Sequence, residues 1–232
     1  MKPSPTLSPS VNELVISRFM TDTDDAILTQ LHDAVKMCRE LAIKARGIAG
    51  PVLDNDLETL PARHRKARNA TFALFESATK AMDAAIKAAN DETAAIKLRL
   101  RGPPPPKDQI RQQRESELRE RLTMLPEQRR KDVISEAVKM DDDQLLSAVL
   151  NARDWEVGLT VSELDMFRHQ WGERRHPGHF KRMQRIESAI DATQIAGQAA
   201  MTFIDHLTDA ALVEQAEAKD KKAAAALSSV KA

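Results

Sequence analysis

Apolar residues recur every three or four positions through most of this 232-residue chain, which is the period of one face of an α-helix. The first clear stripe consists of Ile27, Leu28, Leu31, Val35, Cys38, Leu41, Ala42 and Ala45. Residues 21–24 offer side-chain oxygens for an N-cap, and Gly47 suits the position that follows a helix. We therefore predict a helix over residues 23–46.

A second and longer stripe begins after Pro61, a residue that is well tolerated in the first turn of a helix. It predicts a helix over residues 61–101, with a seam that contains Phe75, Ala78, Met82, Ala85, Ala89 and Ile96. Alanine at most of these positions allows another helix to approach closely. The natural partner is helix 23–46, so we predict a helical hairpin over residues 21–101, preceded by an extended or partly disordered arm over residues 1–20.

Four consecutive prolines end this helix, because proline lacks the backbone N–H and its ring blocks the preceding turn. Residues 102–106 therefore predict a stiff polyproline spacer and the main boundary between two regions of the chain. Beyond this spacer, residues 107–213 predict a second helical region. Its helices are expected at residues 107–124, 127–140, 142–152, 161–174 and 179–212.

The helix over residues 179–212 has the cleanest heptad pattern, with apolar or small residues at two interleaved positions of the repeat. This second seam contains Met183, Ile186, Ile190, Gly197, Ala200, Ile204 and Leu207. Residues 214–232 are rich in alanine and lysine and carry no packing stripe, so we expect a low-complexity tail. No segment has the alternating period of a long strand. The predicted class is all-α and elongated, with a hairpin, a proline spacer and a second group of helices.

Composition limits how such a chain can build a core. Aromatic residues make up only 3% of it, and 34 of its residues are alanine, which buries little surface at each position. We infer that other copies or partner proteins complete the interior by packing against the two seams. Positive and negative side chains number 35 each, so no overall field draws the protein to nucleic acid or to a membrane.

Neither a secretory leader nor a membrane anchor is expected. The first ten residues lack the apolar centre of a signal sequence, and no uncharged apolar run approaches the roughly 20 residues that cross a bilayer. The single cysteine, Cys38, lies on an apolar stripe, which favours an inert buried thiol over a nucleophile. We expect a protein that is made in the cytoplasm and needs no cofactor.

The stretch RHQWGERRHPGHFKR, residues 168–182, holds three histidines around a Pro-Gly step. His169, His176 and His179 could supply three ligands to a zinc ion. No cysteine lies near them, however, and no pair has the HExxH spacing that places two ligands on one helical face. We therefore favour a corner between two helices, and we predict neither a metal site nor a catalytic residue.

Basic residues in segments 63–68 and 168–185 support an alternative function in binding DNA or RNA. Each arginine or lysine could neutralise a phosphate and release counterions. The candidate contacts are Arg63, Arg65, Lys66, Arg68, Arg174, Arg175, Lys181, Arg182 and Arg185. Stacking aromatic residues are not interleaved with them, and no known reader motif is present. Nucleic-acid binding is therefore the second hypothesis.

Residues 125–171 combine an acidic cap before QLLSAVLNA, a tryptophan-containing turn to GLT and a helix that ends before a His-Pro step. In these features the segment resembles uncharacterised helical proteins encoded among the structural genes of tailed bacteriophages and prophages. The resemblance implies incorporation in a virion or a role in its assembly, and it assigns no functional residues. Together with the two seams, it predicts a non-enzymatic structural protein that associates with itself or with other virion proteins.

Overall fold

The computed structural model describes residues 5–21 and 25–230. Their regular structure is helical and contains no strand, which confirms the predicted all-α class. The helices are α1 (Leu14–Ser17), α2 (Ala26–Leu53), α3 (Leu60–Arg99), α4 (Gln109–Thr123), α5 (Glu127–Met140), α6 (Asp143–Leu150), α7 (Val161–Arg175), α8 (Pro177–His206) and α9 (Ala210–Val230), with a 3₁₀ turn at Asp154–Glu156. Within the described ranges, no helix is both long and apolar enough to cross a membrane.

Side-chain caps explain where several of these helices begin. Asp142 accepts a hydrogen bond from the Leu145 N–H at 3.1 Å, which starts α6. At the start of α7, Thr160 and Glu163 exchange two such bonds and form a capping box. The Lys131 ammonium and the Thr160 N–H both stabilise the Glu163 carboxylate, and they lower its pKa to about 2.

The N-terminal segment differs from the predicted extended arm. Residues 1–4 lie outside the described ranges, but Val11 and Ile16 are buried, and the second of them belongs to α1. Glu13 pairs with Arg39 of α2 at 3.1 Å. Apolar burial and a charge contact therefore hold this segment against α2, where the proline and serine content predicted an extended chain.

Helix α2 ends later than predicted, because its two glycines do not terminate it. The helix continues through Gly47, Gly50 and Pro51 to Leu53. Buried Ala49 keeps this last part packed, and a proline so near the helix end removes only one backbone hydrogen bond.

The predicted helix over residues 179–212 is divided in two. Helix α8 ends at His206, and α9 begins after a short turn. Asp209 marks the break, because its side chain accepts a hydrogen bond from the Ala211 N–H at 3.0 Å. The buried side chains of α9 include Val213 and Ala216, and the second of them belongs to the predicted tail over residues 214–232, which therefore begins as a packed helix.

The chain forms two compact units. The first contains Met1–Asp91 and Arg185–Ala232, and the second contains Glu92–Gln184. The proline segment therefore lies inside the second unit instead of separating two regions as predicted. Its first proline, Pro103, is buried, and the carbonyl oxygen of Pro103 accepts a hydrogen bond from the Asn151 side chain at 2.8 Å.

In the first unit, α3 and α8 run antiparallel. Arg68 lies 3.5 Å from Asp205, and farther along α3 the terminal methyl of Met82 lies against Gly197, where a Cβ would approach it to 2.9 Å. Helix α2 lies beside α3, and the two helices line one shallow groove. Its lining includes Ala34 and Met37 on α2 and Ala81, Ala84 and Ala85 on α3.

The single chain already buries both predicted seams. Gly197 is partly buried, and the buried members are Phe75, Ala78, Met82, Ala85, Ala89, Ile96, Met183, Ile186, Ile190, Ala200, Ile204 and Leu207. The inference that other chains must complete the interior is therefore corrected. Small residues let helices of the same chain approach closely enough to cover one another. The elongated shape and the heptad register remain predictions.

In the second unit, helices α4 to α7 surround one apolar cluster. Its larger members are Leu122, Ile134, Val138, Leu146, Val149, Leu150, Val157, Leu159, Leu164, Phe167 and Trp171. At the edge of this cluster, the Arg130 guanidinium donates hydrogen bonds to the carbonyl oxygens of Leu122 and Gly158. One side chain thus joins the turn after α4 to the loop before α7.

Candidate functional site

A groove of about 600 Å³ lies in the second unit at the corner between α7 and α8. The last turns of α3 line it together with α7 and the first turns of α8. Its apolar lining includes Leu98, Leu100, Phe180 and Met183, and its polar lining includes Lys97, Arg101, Asp165, Arg168 and His169. The stretch of residues 168–182 thus contributes a large part of one surface.

Gly172 brings α7 close to the end of α3 beneath this groove. A Cβ at Gly172 would lie 3.2 Å from the Leu100 Cβ and 3.4 Å from the Leu100 carbonyl oxygen. The first distance is tighter than most contacts of a Cβ atom, so a side chain at this position would require Leu100 to shift by a few tenths of an ångström. Close approach therefore accounts for a glycine inside a helix, where it costs about 1 kcal/mol relative to alanine.

A second groove of about 750 Å³ adjoins the first, since Leu98 and Arg101 line both. Its lining also includes the proline segment, Trp171 and His176. Trp171 is almost fully buried, and its indole N–H has no acceptor among the described residues. We call the two adjoining grooves together the α7 groove.

The three histidines of the corner interact with aromatic rings. His169 lies edge-on to Phe180 at 4.5 Å between ring centroids, and His176 lies 5.3 Å from Trp171. The rings of His176 and His179 are 6.2 Å apart. No group of three or more His, Cys, Asp or Glu side chains among the described residues could hold a metal ion.

The first basic cluster, residues 63–68, is neutralised by acids of its own unit. Arg65 pairs with Asp220, Lys66 pairs with Glu58 at 2.8 Å, Arg63 pairs with Asp56 at 3.1 Å, and Arg68 pairs with Asp205, as above. His64 within the cluster accepts a hydrogen bond from the Asp209 N–H through Nδ1, and burial lowers the pKa of this imidazole. Arg68 and Arg65 position α3 against α8 and α9. Arg63 and Lys66 pair with acids of the loop before α3, so the cluster has little charge left for phosphates.

The second cluster, residues 168–185, is used in the same way. Arg174 bonds to the Lys139 carbonyl oxygen at 2.8 Å and pairs with Asp141. Arg182 pairs with Glu92. The remaining candidates also have neighbours or lie open to solvent: Arg175 is 3.8 Å from Asp143, Arg185 bonds to Thr21, and Lys181 is exposed. The arrangement therefore gives no specific support to a nucleic-acid interface.

Arg168, at the start of this stretch, closes the end of α6. Its guanidinium donates two hydrogen bonds to the Leu150 carbonyl oxygen and one to that of Ala152, and it pairs with Asp165 at 3.0 Å. These bonds satisfy carbonyl groups that a helix end leaves without partners. The charge of Arg168 therefore serves the fold of the second unit.

Cys38 is fully buried on α2, and burial raises the pKa of its thiol to about 11. Because the thiolate is the reactive form, we expect a disulfide reagent at neutral pH to modify Cys38 only as fast as the chain unfolds. An unperturbed cysteine thiol has a pKa of 9.0, so the thiol of the unfolded chain loses its proton at a lower pH than the buried thiol does. The free energy of unfolding should therefore fall as pH rises from about 9 to about 11. Rapid stoichiometric modification of the folded chain would contradict this expectation.

Sequence reasoning missed most residues of the α7 groove, and Leu98 and Arg101, which line both parts of it, are examples. Leu98 and Arg101 lie outside the two predicted seams, so a search for seam residues passes over them. The available signal was the run KLRLR over residues 97–101, in which three cations and two leucines have no neighbouring acid.

Comparison with protein-family models, curated proteins and solved structures finds no match to this chain.

Proposed function

We propose that this chain is a non-enzymatic assembly protein that acts by binding other protein chains, including copies of itself. The observation that carries the proposal is the α7 groove. It presents apolar surface beside cations, and its aspartates are already paired with arginines. Such a surface suits recognition of another polypeptide, because apolar area supplies affinity and the charges select the partner.

The association surface in this proposal is not the pair of seams. Since the chain's own helices cover both seams, a partner must bind to side chains that remain exposed after folding. Leu98 of the α7 groove is 69% exposed although it lies in a long helix with a buried seam. A leucine left open in a groove is available to a partner without any unfolding.

A narrower version of the proposal places the protein in a tailed-phage virion or in the assembly of its head or tail. Its support is the resemblance of residues 125–171 to helical proteins encoded among phage structural genes. The all-α fold agrees with such a role.

Sedimentation equilibrium of the purified chain over a wide concentration range tests the proposal. We expect the weight-average molecular mass to rise above the monomer mass of 25.8 kDa as protein concentration increases. Because charged side chains contribute, the rise should be smaller at high salt. A mass of 25.8 kDa at every concentration would contradict assembly by self-association.

A further inference from the structure

We propose that the acidic loop between α2 and α3 of one copy docks, through Leu57, into the α7 groove of a second copy. This inference rests on the proposed function and names its contact. The loop, residues 54–59, has the sequence DNDLET and belongs to the first unit, whereas the groove belongs to the second.

Leu57 is the most exposed of the large apolar side chains in the described part of the chain. It is 96% exposed, on a loop that local hydrogen bonds hold in place. The Leu57 N–H donates to the Asn55 side chain at 3.2 Å, and Arg63 donates to the Leu53 carbonyl oxygen at 2.8 Å. Leu57 is therefore exposed on a loop whose backbone is held in place by hydrogen bonds. Binding would then cost less conformational entropy than it would for a disordered loop.

Acidic side chains surround this leucine. Asp54, Asp56 and Glu58 alternate with the other residues of the loop. The internal partners of the last two, Arg63 and Lys66, lie on the first turns of α3. The Asp56 side chain is almost fully exposed despite its contact with Arg63, so it remains available to a second cation.

The α7 groove has the complementary character. Its combined lining contains five cations, Lys97, Arg99, Arg101, Arg168 and Arg175, against two carboxylates. Both carboxylates, Asp165 and Asp143, lie beside arginines of the same groove. An excess of positive charge thus lies next to exposed Leu98, and a loop with a leucine between acids matches both properties.

The groove favours a polypeptide over a nucleic acid as its occupant. Trp171 and Phe180 are each only 4% exposed, so neither ring offers a face on which a base could stack. A sugar-phosphate backbone would also leave the apolar lining without a matching surface. A leucine side chain fills that surface and brings the neighbouring carboxylates to the cations.

Loop and groove are different surfaces, so their contact between copies is heterologous. Each copy that offers its loop keeps its own groove free, and association continues until a ring closes or a filament forms. This property separates the proposed contact from a two-fold dimer, in which the same surface of both copies would be used.

Two variants, Leu57→Asp and Arg101→Glu, test the contact in the full-length chain. Both positions are exposed, so we expect each variant to retain the fold, and circular dichroism checks this. We expect each variant to raise the dissociation constant of self-association by more than ~10-fold. A one-to-one mixture should then form a dimer and nothing larger, because the Leu57→Asp chain keeps its groove and the Arg101→Glu chain keeps its loop.

Two matched controls make the same chemical changes away from the contact. Ile43 on α2 is 55% exposed, and Arg129 on α5 is exposed, so Ile43→Asp and Arg129→Glu should associate like the natural chain. Equal association of the natural chain and both test variants would overturn the contact while leaving assembly by another surface in place. A mixture that stays monomeric would also overturn it, and a monomeric natural chain would overturn both proposals.

Discussion

Replacing Arg130 with methionine is expected to lower the free energy of unfolding by about 2–4 kcal/mol. Its Nε donates to the Leu122 carbonyl oxygen at 3.0 Å, and its Nη2 donates to those of Thr123 and Leu125 at 3.2 and 3.0 Å. Its Nη1 donates to the Gly158 carbonyl oxygen. Hydrogen bonds from a charged group contribute more than neutral ones, and methionine removes all four while keeping the aliphatic stem.

Urea denaturation followed by circular dichroism measures this change. Arg129→Met is the matched control, because Arg129 is the exposed neighbour on the same helix and its replacement should change stability by less than about 0.5 kcal/mol. Arg130→Lys should retain only part of the stability, because an ammonium cannot reproduce the planar fork of a guanidinium. Equal free energies of unfolding for Arg130→Met and Arg129→Met would show that the four hydrogen bonds of Arg130 do not stabilise the fold.

Replacing Ile204 with alanine is expected to lower the free energy of unfolding by about 2–5 kcal/mol. Ile204 is fully buried on α8 within the second predicted seam, so the change removes buried apolar surface and leaves a cavity. The loss should be the same at low and high protein concentration, because the atoms that cover Ile204 belong to the same chain. If a partner chain covered it, the loss would instead depend on concentration.

Ile195→Ala provides the control in the same helix. Ile195 is 56% exposed, so the same chemical change there removes little buried surface and should alter stability only slightly. Urea unfolding of both variants at two protein concentrations makes the comparison. Equal losses from the two variants, or a loss at Ile204 that varies with concentration, would contradict closure of the seam within one chain.

Local sequence signals were sufficient to predict the helices of the second unit. The predicted helix over residues 127–140 matches α5, which runs Glu127–Met140, and the predicted helix over residues 161–174 matches α7, which Thr160 caps. These signals depend on neighbouring residues, so they are readable in one sequence. The break between α8 and α9 was missed, because an aspartate cap at Asp209 lies inside a run of helix-forming residues.

The state of the basic clusters could not be predicted from local sequence. Arg65 meets Asp220, and Arg182 meets Glu92 from a helix far away in the chain. Only the tertiary fold brings these charges together, so a run of arginines looks like a free surface in the sequence. The same limit applies to the α7 groove, whose lining comes from α3, α7, α8 and the proline segment.

The seams illustrate a different limit. A heptad of small and apolar residues predicts that a helix is covered, but it does not distinguish a helix of the same chain from a helix of another. Phe75 and Ala200 were correctly selected as packing positions, and both are buried. The partner was misassigned because low aromatic content suggested an incomplete core, whereas close approach of helices buries alanine effectively.

Closure of the seams within one chain is tested most directly by hydrogen–deuterium exchange of the natural protein, diluted until its mass is 25.8 kDa. In this monomer we predict slow exchange for the amides of α3 and α8, and no further slowing there when association is restored at higher concentration. Fast exchange of α3 and α8 in the monomer, with protection only after the mass rises, would show that other chains complete the core.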